Sequence, residues 1–134
     1  MDPSLSFTPH GGTPAPDPFD PRCPTRLLLD RIADKWTVLL LTVIAEEPVR
    51  FNALKRRVGG ISQKVLSQTL KSLERDGLVT RTAYATVPVT VEYALTPLGM
   101  SLAATLAPLA GWAAAHMGEI AAAQRDFDGR AEAH

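Results

Sequence analysis

The hydrophobic and polar positions divide the chain into a patternless beginning and a periodic remainder. Residues 1–22 are rich in proline and have no apolar period, which predicts a flexible arm. From Pro24 onward, apolar residues recur at steps of three and four, as on one face of a helix. Two helices are predicted from the apolar positions Leu27, Leu28, Ile32, Trp36, Leu39, Leu40, Val43 and Ile44. Asp34 is the expected N-cap of the second helix, which should stop before Pro48.

Two further helices are predicted on either side of a glycine turn at residues 59–60. The first has the apolar positions Phe51, Leu54 and Val58. The second has the strongest period in the chain, with one face formed by Ile61, Val65, Leu66, Thr69, Leu70 and Leu73. We expect Ser62 to cap the start of this helix and Gly77 to end it.

After these helices the period changes to alternation, which predicts strands over residues 78–85 and 91–95 and therefore a hairpin. A last helix should begin at Thr96 and Pro97, and it carries the apolar stripe Leu98, Leu102, Leu106, Leu109, Trp112 and Met117. Pro108 should kink or divide this helix, because proline lacks an N–H and clashes with the carbonyl four residues earlier. The polar tail, residues 124–134, is expected to fray.

The order of these elements is that of a winged helix-turn-helix, a mainly α (α+β) fold with a two-stranded wing and a C-terminal dimerisation helix. The length of 134 residues fits one domain, placed at residues 23–123. The longest apolar run, residues 38–45, is far below the roughly 18 residues of a membrane span. The N-terminus has no secretory pattern, so we expect a cytoplasmic protein without membrane partners.

The formal net charge of zero hides an asymmetry. Residues 50–82 hold eight basic and two acidic side chains, so this segment carries +6 and the rest of the chain carries −6. Counterion release rewards local phosphate contacts rather than global charge. The positive charge therefore lies where a helix-turn-helix would meet a DNA duplex.

The polar face of the fourth helix is the predicted recognition surface. Its candidate contacts to bases and phosphates are Ser62, Gln63, Lys64, Ser67, Gln68 and Lys71. The candidate phosphate contacts outside this helix are Lys55, Arg56, Arg57 and Arg81. A merely solvated polar face, or a basic face that docks an acidic protein, is the alternative that this pattern leaves open.

The chain resembles the HxlR family of MarR-like winged-helix regulators in three segments. They are CPTRLLLDRIADKWTVLLL, VRFNALKRRVGGISQKVLSQTLKSLERDGLVTR and VPVTVEYALTPLG, which together cover about residues 23 to 99. The resemblance implies a homodimeric transcriptional regulator, in most cases a repressor, that binds double-stranded DNA. A two-fold dimer implies a pseudo-palindromic operator. Unlike many relatives, this chain has no Lys or Arg in the wing at residues 85–90, and it has Pro108 where relatives continue the helix.

Several members of the family sense oxidants or electrophiles such as quinones, diamide or aldehydes through a cysteine that matches Cys23. Pro24 favours the first position of a helix, so the Cys23 sulfur should lie near a helix N-terminus, where the dipole stabilises a thiolate. Arg22 and Arg26 would add to this effect and Asp20 would oppose it. Cys23 is the only cysteine, so oxidation would give an intersubunit disulfide, a mixed disulfide or an adduct. The alternatives are a structural cysteine and a regulator that is constitutive or controlled by a small ligand.

No other chemistry is indicated by the sequence. Trp36, Tyr93 and Trp112 are expected in the core rather than in an effector pocket. The three histidines, His10, His116 and His134, are not paired at metal-ligand spacing, so we expect no metal and no cofactor. No histidine is placed to activate Cys23, so an enzyme is not expected.

Overall fold

The computed structural model describes residues 17–133, so residues 1–16 of the predicted arm lie outside the described part, as do His10 and His134. The elements are α1 (Pro24–Ile32), α2 (Lys35–Ile44), β1 (Val49–Arg50), α3 (Phe51–Arg57), α4 (Gln63–Arg75), β2 (Val79–Tyr84), β3 (Thr90–Leu95) and α5 (Pro97–Ala133). Helices α3 and α4 form the helix-turn-helix, and β2 and β3 form the wing. The predicted mainly α winged-helix fold is confirmed.

The helix ends follow the local chemistry predicted from the sequence. Asp34 caps α2 by accepting the N–H groups of Trp36 and Thr37 at 3.0 and 3.3 Å. Ser62 caps α4 by accepting the N–H of Val65 at 3.1 Å. Gly60, in the turn between α3 and α4, has a φ of 83°, which side-chain-bearing residues rarely adopt. The sharp turn that sets α4 against α3 therefore depends on glycine.

The core lies between α2, α3, α4 and the sheet. Its fully buried members are Leu40, Leu41, Leu54, Leu66, Leu70 and Leu73. Three of them lie on one side of α4, so the strong period predicted for this helix is a packing face. That packing fixes the opposite side of α4 toward solvent.

The wing belongs to a three-stranded antiparallel sheet of order β1-β3-β2, whereas the sequence predicted two strands only. The additional strand is two residues long, and Val49 pairs with Tyr93. A strand of two residues has no alternation to detect, which is why the sequence pattern missed it. The hairpin itself pairs as predicted, from Val79 opposite Leu95 to Tyr84 opposite Thr90.

Helix α5 is longer than predicted and continuous. The expectation that Pro108 divides the helix is wrong, as is the expectation that the tail frays, because one helix runs through Pro108 and residues 124–133. Ala104 and Pro108 are both exposed, so the Ala104 carbonyl that proline leaves unbonded is open to water. At 1.5 Å per residue the helix is about 55 Å long. The domain limits at residues 23 and 123 stay a prediction.

The three aromatic residues that were expected in the core have different environments. Tyr93 is buried in the core, as predicted, with 7% of its surface exposed. Trp36 is half-buried against the edge of the core. Trp112 is 54% exposed on α5, so its assignment to the core is wrong. A helical stripe does not reveal whether its own chain or another molecule covers it, and here the chain leaves Trp112 uncovered.

Candidate nucleic-acid interface and the Cys23 site

The outer side of α4 carries the residues predicted to contact DNA. Leu66, Leu70 and Leu73 on its inner side are fully buried and hold the helix in place. The predicted contacts are all exposed: Ser62, Gln63, Lys64, Ser67, Gln68 and Lys71. All six side chains can donate a hydrogen bond, as base edges and phosphates in a major groove require.

The basic residues of α3 extend this surface. Lys55 and Arg56 are exposed and make no ion pair within residues 17–133. Arg57 Nη2 lies 3.1 Å from Glu46 Oε1, and both side chains are exposed. An exposed pair of this kind contributes about 1 kcal/mol or less, so Glu46 is a weak competitor of a phosphate for Arg57.

A groove of about 570 Å³ separates α3 from the base of the wing. Arg56 of α3 and Arg81 of β2 line this groove together with Asn52, and no carboxylate lines it. The tip of the wing is apolar, with Val87 fully exposed. The positive charge of the wing is thus at its base. Sequence reasoning missed Asn52, although its spacing of four from Arg56 places both on one side of the helix.

Replacing Arg81 by alanine should weaken duplex binding about two- to tenfold at any sequence. The slope of log affinity against log salt concentration should fall by about one for each subunit bound, and so by about two for a dimer, because each subunit loses one phosphate contact. Fluorescence anisotropy titrations between about 50 and 200 mM salt measure both quantities. Arg125→Ala, at an exposed arginine of α5, is the matched control and should leave the slope unchanged. An unchanged slope in the Arg81 variant would exclude a phosphate contact by this guanidinium.

Cys23 lies at the N-cap of α1, as predicted, and is half-buried. Its Sγ accepts the backbone N–H of Asp17 at 3.3 Å. Burial raises the pKa of the thiol, but the N–H groups of Asp17, Arg26 and Thr25 and the Thr25 hydroxyl outweigh it, so the pKa is lowered. The sulfur makes no capping hydrogen bond to the first turn, so Thr25 and Arg26 act through the field of their dipoles.

The guanidinium groups of Arg22 and Arg26 are paired with groups other than the Cys23 thiol. The Arg22 guanidinium lies 3.3 Å from the Asp20 carboxylate, and Arg26 Nη1 donates to the Phe19 carbonyl at 3.1 Å. The expected charge contribution of these arginines to the thiol is therefore replaced by backbone dipoles. The turn that supplies the Asp17 N–H is closed by the Cys23 N–H, which donates to the Asp20 carbonyl at 2.9 Å.

An ion pair connects the helix of Cys23 to the recognition helix. Arg31 Nη1 lies 2.6 Å from both carboxylate oxygens of Asp76, the C-cap residue of α4. The side chains are 34% and 14% exposed, so solvent screens this pair less than the other arginine pairs. A displacement of α1 would consequently pull on the end of α4.

The residues predicted for dimerisation separate into two groups. Leu102 and Leu106 pack against the core of their own chain. Leu98, Leu109, Trp112 and Met117 are 52 to 59% exposed. Three consecutive leucines of α1, residues 27–29, are also 43 to 53% exposed, and α1 has no buried residue. Seven large apolar side chains on α1 and α5 are thus about half exposed, and Leu28 and Leu98 among them line one shared groove.

One described helix, Pro97–Glu132, is long and apolar enough by composition to cross a membrane. Its first turns pack on the protein instead, with Ala103 and Leu106 buried. From Ala107 to the next charged residue, Glu119, the exposed stretch is too short for the roughly 20 residues that a span requires. Packing and length both favour a protein surface over a lipid one.

Within residues 17–133, no group of three or more His, Cys, Asp or Glu side chains is placed to hold a metal ion. His116 stacks on Trp112 with ring centroids 4.6 Å apart, and its Nδ1 lies 2.9 Å from the Trp112 carbonyl oxygen. Glu119 is its nearest carboxylate, at 4.0 Å. His116 therefore has a local structural role on α5.

Comparison with known proteins agrees with this geometry. The family model described as HxlR-like helix-turn-helix matches residues 31–121. The HTH-type transcriptional regulator YtfH of Escherichia coli is 42% identical over 104 residues, which cover 78% of this chain and 82% of YtfH. The solved structure of the putative transcriptional regulator ytfH from Salmonella typhimurium superposes with a TM-score of 0.79 at 37% identity, covering 82% of this chain and 98% of that one.

A third similar structure is that of the redox regulator HypR in its oxidised form. It has a TM-score of 0.63 and 35% identity, and it covers 69% of this chain and 96% of its own. The relatives and neighbours named here are thus regulators, two of them named as transcriptional regulators. The helix-turn-helix with its exposed donor-rich α4, the sheet-borne wing and these similarities lead to one assignment: the chain belongs to the HxlR family of winged helix-turn-helix, DNA-binding transcriptional regulators.

Proposed function

We propose that the protein is a homodimeric repressor that binds a pseudo-palindromic operator and responds to oxidants or electrophiles through Cys23. The observation that carries DNA recognition is the exposed face Ser62, Gln63, Lys64, Ser67, Gln68 and Lys71, in which every side chain can donate a hydrogen bond, within a segment of charge +6. We infer a regulator rather than an enzyme, because Cys23 has no general base beside it among the described residues. Lys64 and Gln68 are the central base contacts, and Arg56 and Arg81 hold flanking phosphates.

The sensing part of the proposal rests on the environment of Cys23. A lowered thiol pKa gives more thiolate at neutral pH, and the thiolate is the nucleophile toward disulfides and electrophiles. HypR, a structural neighbour, is itself a redox regulator with an oxidised form. Modification at the N-cap of α1 would displace the turn of Asp17 and, through the Arg31–Asp76 pair, the end of α4.

Modification of Cys23 can give three products, which depend on the reagent. With diamide, two Cys23 thiols of a dimer form one disulfide, and their two electrons and two protons reduce the azo bond to a hydrazine. With a quinone, the thiolate adds to a ring carbon and solvent protonates the oxygen, so no second thiol is needed. A mixed disulfide is the third product that a single cysteine allows: the Cys23 thiolate attacks the disulfide of a small thiol and expels the other half as a thiolate.

Cys23→Ser should bind DNA with unchanged affinity but lose its response to diamide and quinone. Gel shifts on the protein's own upstream region, with and without each reagent, measure this, and non-reducing electrophoresis detects a disulfide-linked dimer. A serine variant that still releases DNA on treatment would refute sensing through Cys23. Binding that shows no preference for the upstream region over random duplex would favour the protein-docking alternative.

The lowered pKa of Cys23 predicts how the rate of thiol alkylation depends on pH. Thiolate forms as pH rises through the thiol pKa, so the rate of iodoacetamide alkylation should reach its midpoint at a lower pH than in the urea-unfolded chain. Mass spectrometry of the single-cysteine protein measures both rates. Equal midpoints would remove the physical basis for a reactive Cys23.

A further inference from the structure

A second groove, of about 490 Å³, lies where α1, α2 and α4 meet. Leu27 and Asp30 of α1, Trp36 and Thr37 of α2, and Val65 and Gln68 of α4 are among its lining residues. This volume is within the range of small-molecule sites in proteins. The groove touches the recognition helix directly, so an occupant would contact the element that reads DNA.

One polar side chain of the groove, that of Thr37, is almost fully buried and its hydroxyl is not engaged in a hydrogen bond within residues 17–133. Thr37 is 2% exposed, and its hydroxyl makes no hydrogen bond within residues 17–133. The hydroxyls of Thr42 and Thr105, by contrast, donate to the helix carbonyl four residues earlier. No fully buried side-chain oxygen of the described residues lacks a partner, so the Thr37 oxygen keeps a small exposed area, and Thr37 is one of the residues that line the groove. It is available there to a ligand.

The charge balance of the groove is negative. The charged lining residues are Asp30, Arg31 and Asp34, and the charge of Arg31 is matched by Asp76 at 2.6 Å. The Asp30 carboxylate makes no ion pair within residues 17–133, while Asp34 accepts only backbone N–H groups. With Lys35, which lies over Trp36, the charged groups in and beside the groove are Asp30, Asp34 and Asp76 against Arg31 and Lys35, so the groove keeps a net negative charge.

The aromatic wall already holds a cation. Lys35 Nζ lies 4.6 Å from the centroid of the Trp36 ring, within the range of a cation–π interaction. Lys35 is exposed and its chain is flexible, so a ligand cation can displace it at little cost. An indole face beside carboxylates is a combination that recognises organic cations.

We propose that this groove is an effector site for a small aromatic organic cation. The positive charge lies near Asp30 and Asp34, the ring packs on Trp36 and Leu27, and Thr37 provides a hydrogen bond. The effect on DNA rests on the function proposed above: Gln68 lines the groove and also belongs to the recognition face, so the ligand competes with the operator for this residue. By linkage, DNA must weaken the ligand by the same factor.

The test uses tetraphenylphosphonium as the probe and Trp112→Phe as the background, in which Trp36 is the only tryptophan. Saturable quenching of Trp36 by tetraphenylphosphonium is expected. The anion of the same shape, tetraphenylborate, should not quench at the same concentrations. Equal response to both ions, or no saturable response to the cation, would overturn the proposal.

Asp30→Asn in the same background should weaken the probe about fivefold or more, through loss of one carboxylate charge. Asp126→Asn, at an exposed aspartate of α5, is the matched control and should bind as the parent does. Circular dichroism confirms that both variants fold. Equal probe affinity in the Asp30 variant would overturn the site.

Operator affinity is then measured with and without saturating probe in chains that retain Trp112, the parent and the single variant Asp30→Asn, and a decrease that disappears in Asp30→Asn is expected. An unchanged operator affinity would overturn the effector role. If the protein bound no DNA at all, the proposed function would fail, yet the quenching of Trp36 would still decide whether the groove binds cations.

Discussion

Replacing Lys64 and Gln68 together by alanine is expected to lower operator affinity by about two orders of magnitude or more. A side chain that hydrogen-bonds a base edge contributes about 1 to 3 kcal/mol of discrimination, and these two residues lie one turn apart on the exposed side of α4. Each subunit of a dimer loses both contacts, so the loss applies to both half-sites. Random duplex should lose much less, because only the Lys64 charge contributes to it.

Anisotropy titrations with the upstream region and with random duplex measure this ratio at one fixed salt concentration. The matched control is the double variant Glu74→Ala and Arg75→Ala, also exposed on α4 but at its C-terminal end. The control should keep its preference for the operator. A double variant of Lys64 and Gln68 that still prefers the operator would show that another surface reads the bases.

The core and the recognition face could be predicted together because both are properties of one periodic segment. Leu66, Leu70 and Leu73 recur at steps of three and four, and all are fully buried. Once these positions are assigned to the inside, helix geometry places Lys64 and Gln68 on the outside. The division of charge along the chain needed no structure either, since the basic residues are concentrated in residues 50–82.

The sequence pattern did not predict strand β1 or the continuity of α5, because both depend on the surroundings of these residues in the folded chain. Strand β1 forms because Val49 pairs with Tyr93 of β3. A pattern of two residues cannot predict this pairing. Pro108 was expected to break α5 on local grounds. Pro108 and Ala104, the residue whose carbonyl loses its partner, are both exposed, which is the position at which a missing backbone hydrogen bond is best tolerated.

The position of Cys23 at a helix start could be predicted, but the groups that lower the pKa of its thiol could not. The Cys-Pro pair placed the thiol at a helix start, which the structure confirms. The partner that hydrogen-bonds the sulfur is the N–H of Asp17, whose position depends on a turn in the segment predicted to be a flexible arm. The groove around Thr37 likewise required three helices to be placed relative to one another.

Introducing aspartate at Leu109 and Trp112 should convert the dimer into a monomer. Leu102 and Leu106 cover the core of their own chain, and the same side of α5 continues through Leu109 and Trp112 with nothing packed on it. Burial of these two side chains in a partner would remove well over 100 Å² of apolar surface from water, and two carboxylates there would have no counter-charge. Light scattering at several protein concentrations measures the change in mass.

Loss of the dimer should also weaken operator binding by about 10² to 10⁴, because two linked half-site contacts act at high effective concentration and two separate ones do not. Ala114→Asp is the control, since Ala114 is exposed on the opposite side of α5 and the substitution places a carboxylate there, one against the two of the double variant. This variant should remain dimeric and bind the operator as the parent does. If the parent protein is a monomer, the apolar side of α5 binds a partner other than a second copy of the chain. If the double variant stays dimeric, the interface lies at the leucines of α1 instead. Leu109 and Trp112 lie on α5 and not on α4, so weaker DNA binding in their variant that is absent from Ala114→Asp points to the state of assembly rather than to a change of the recognition surface.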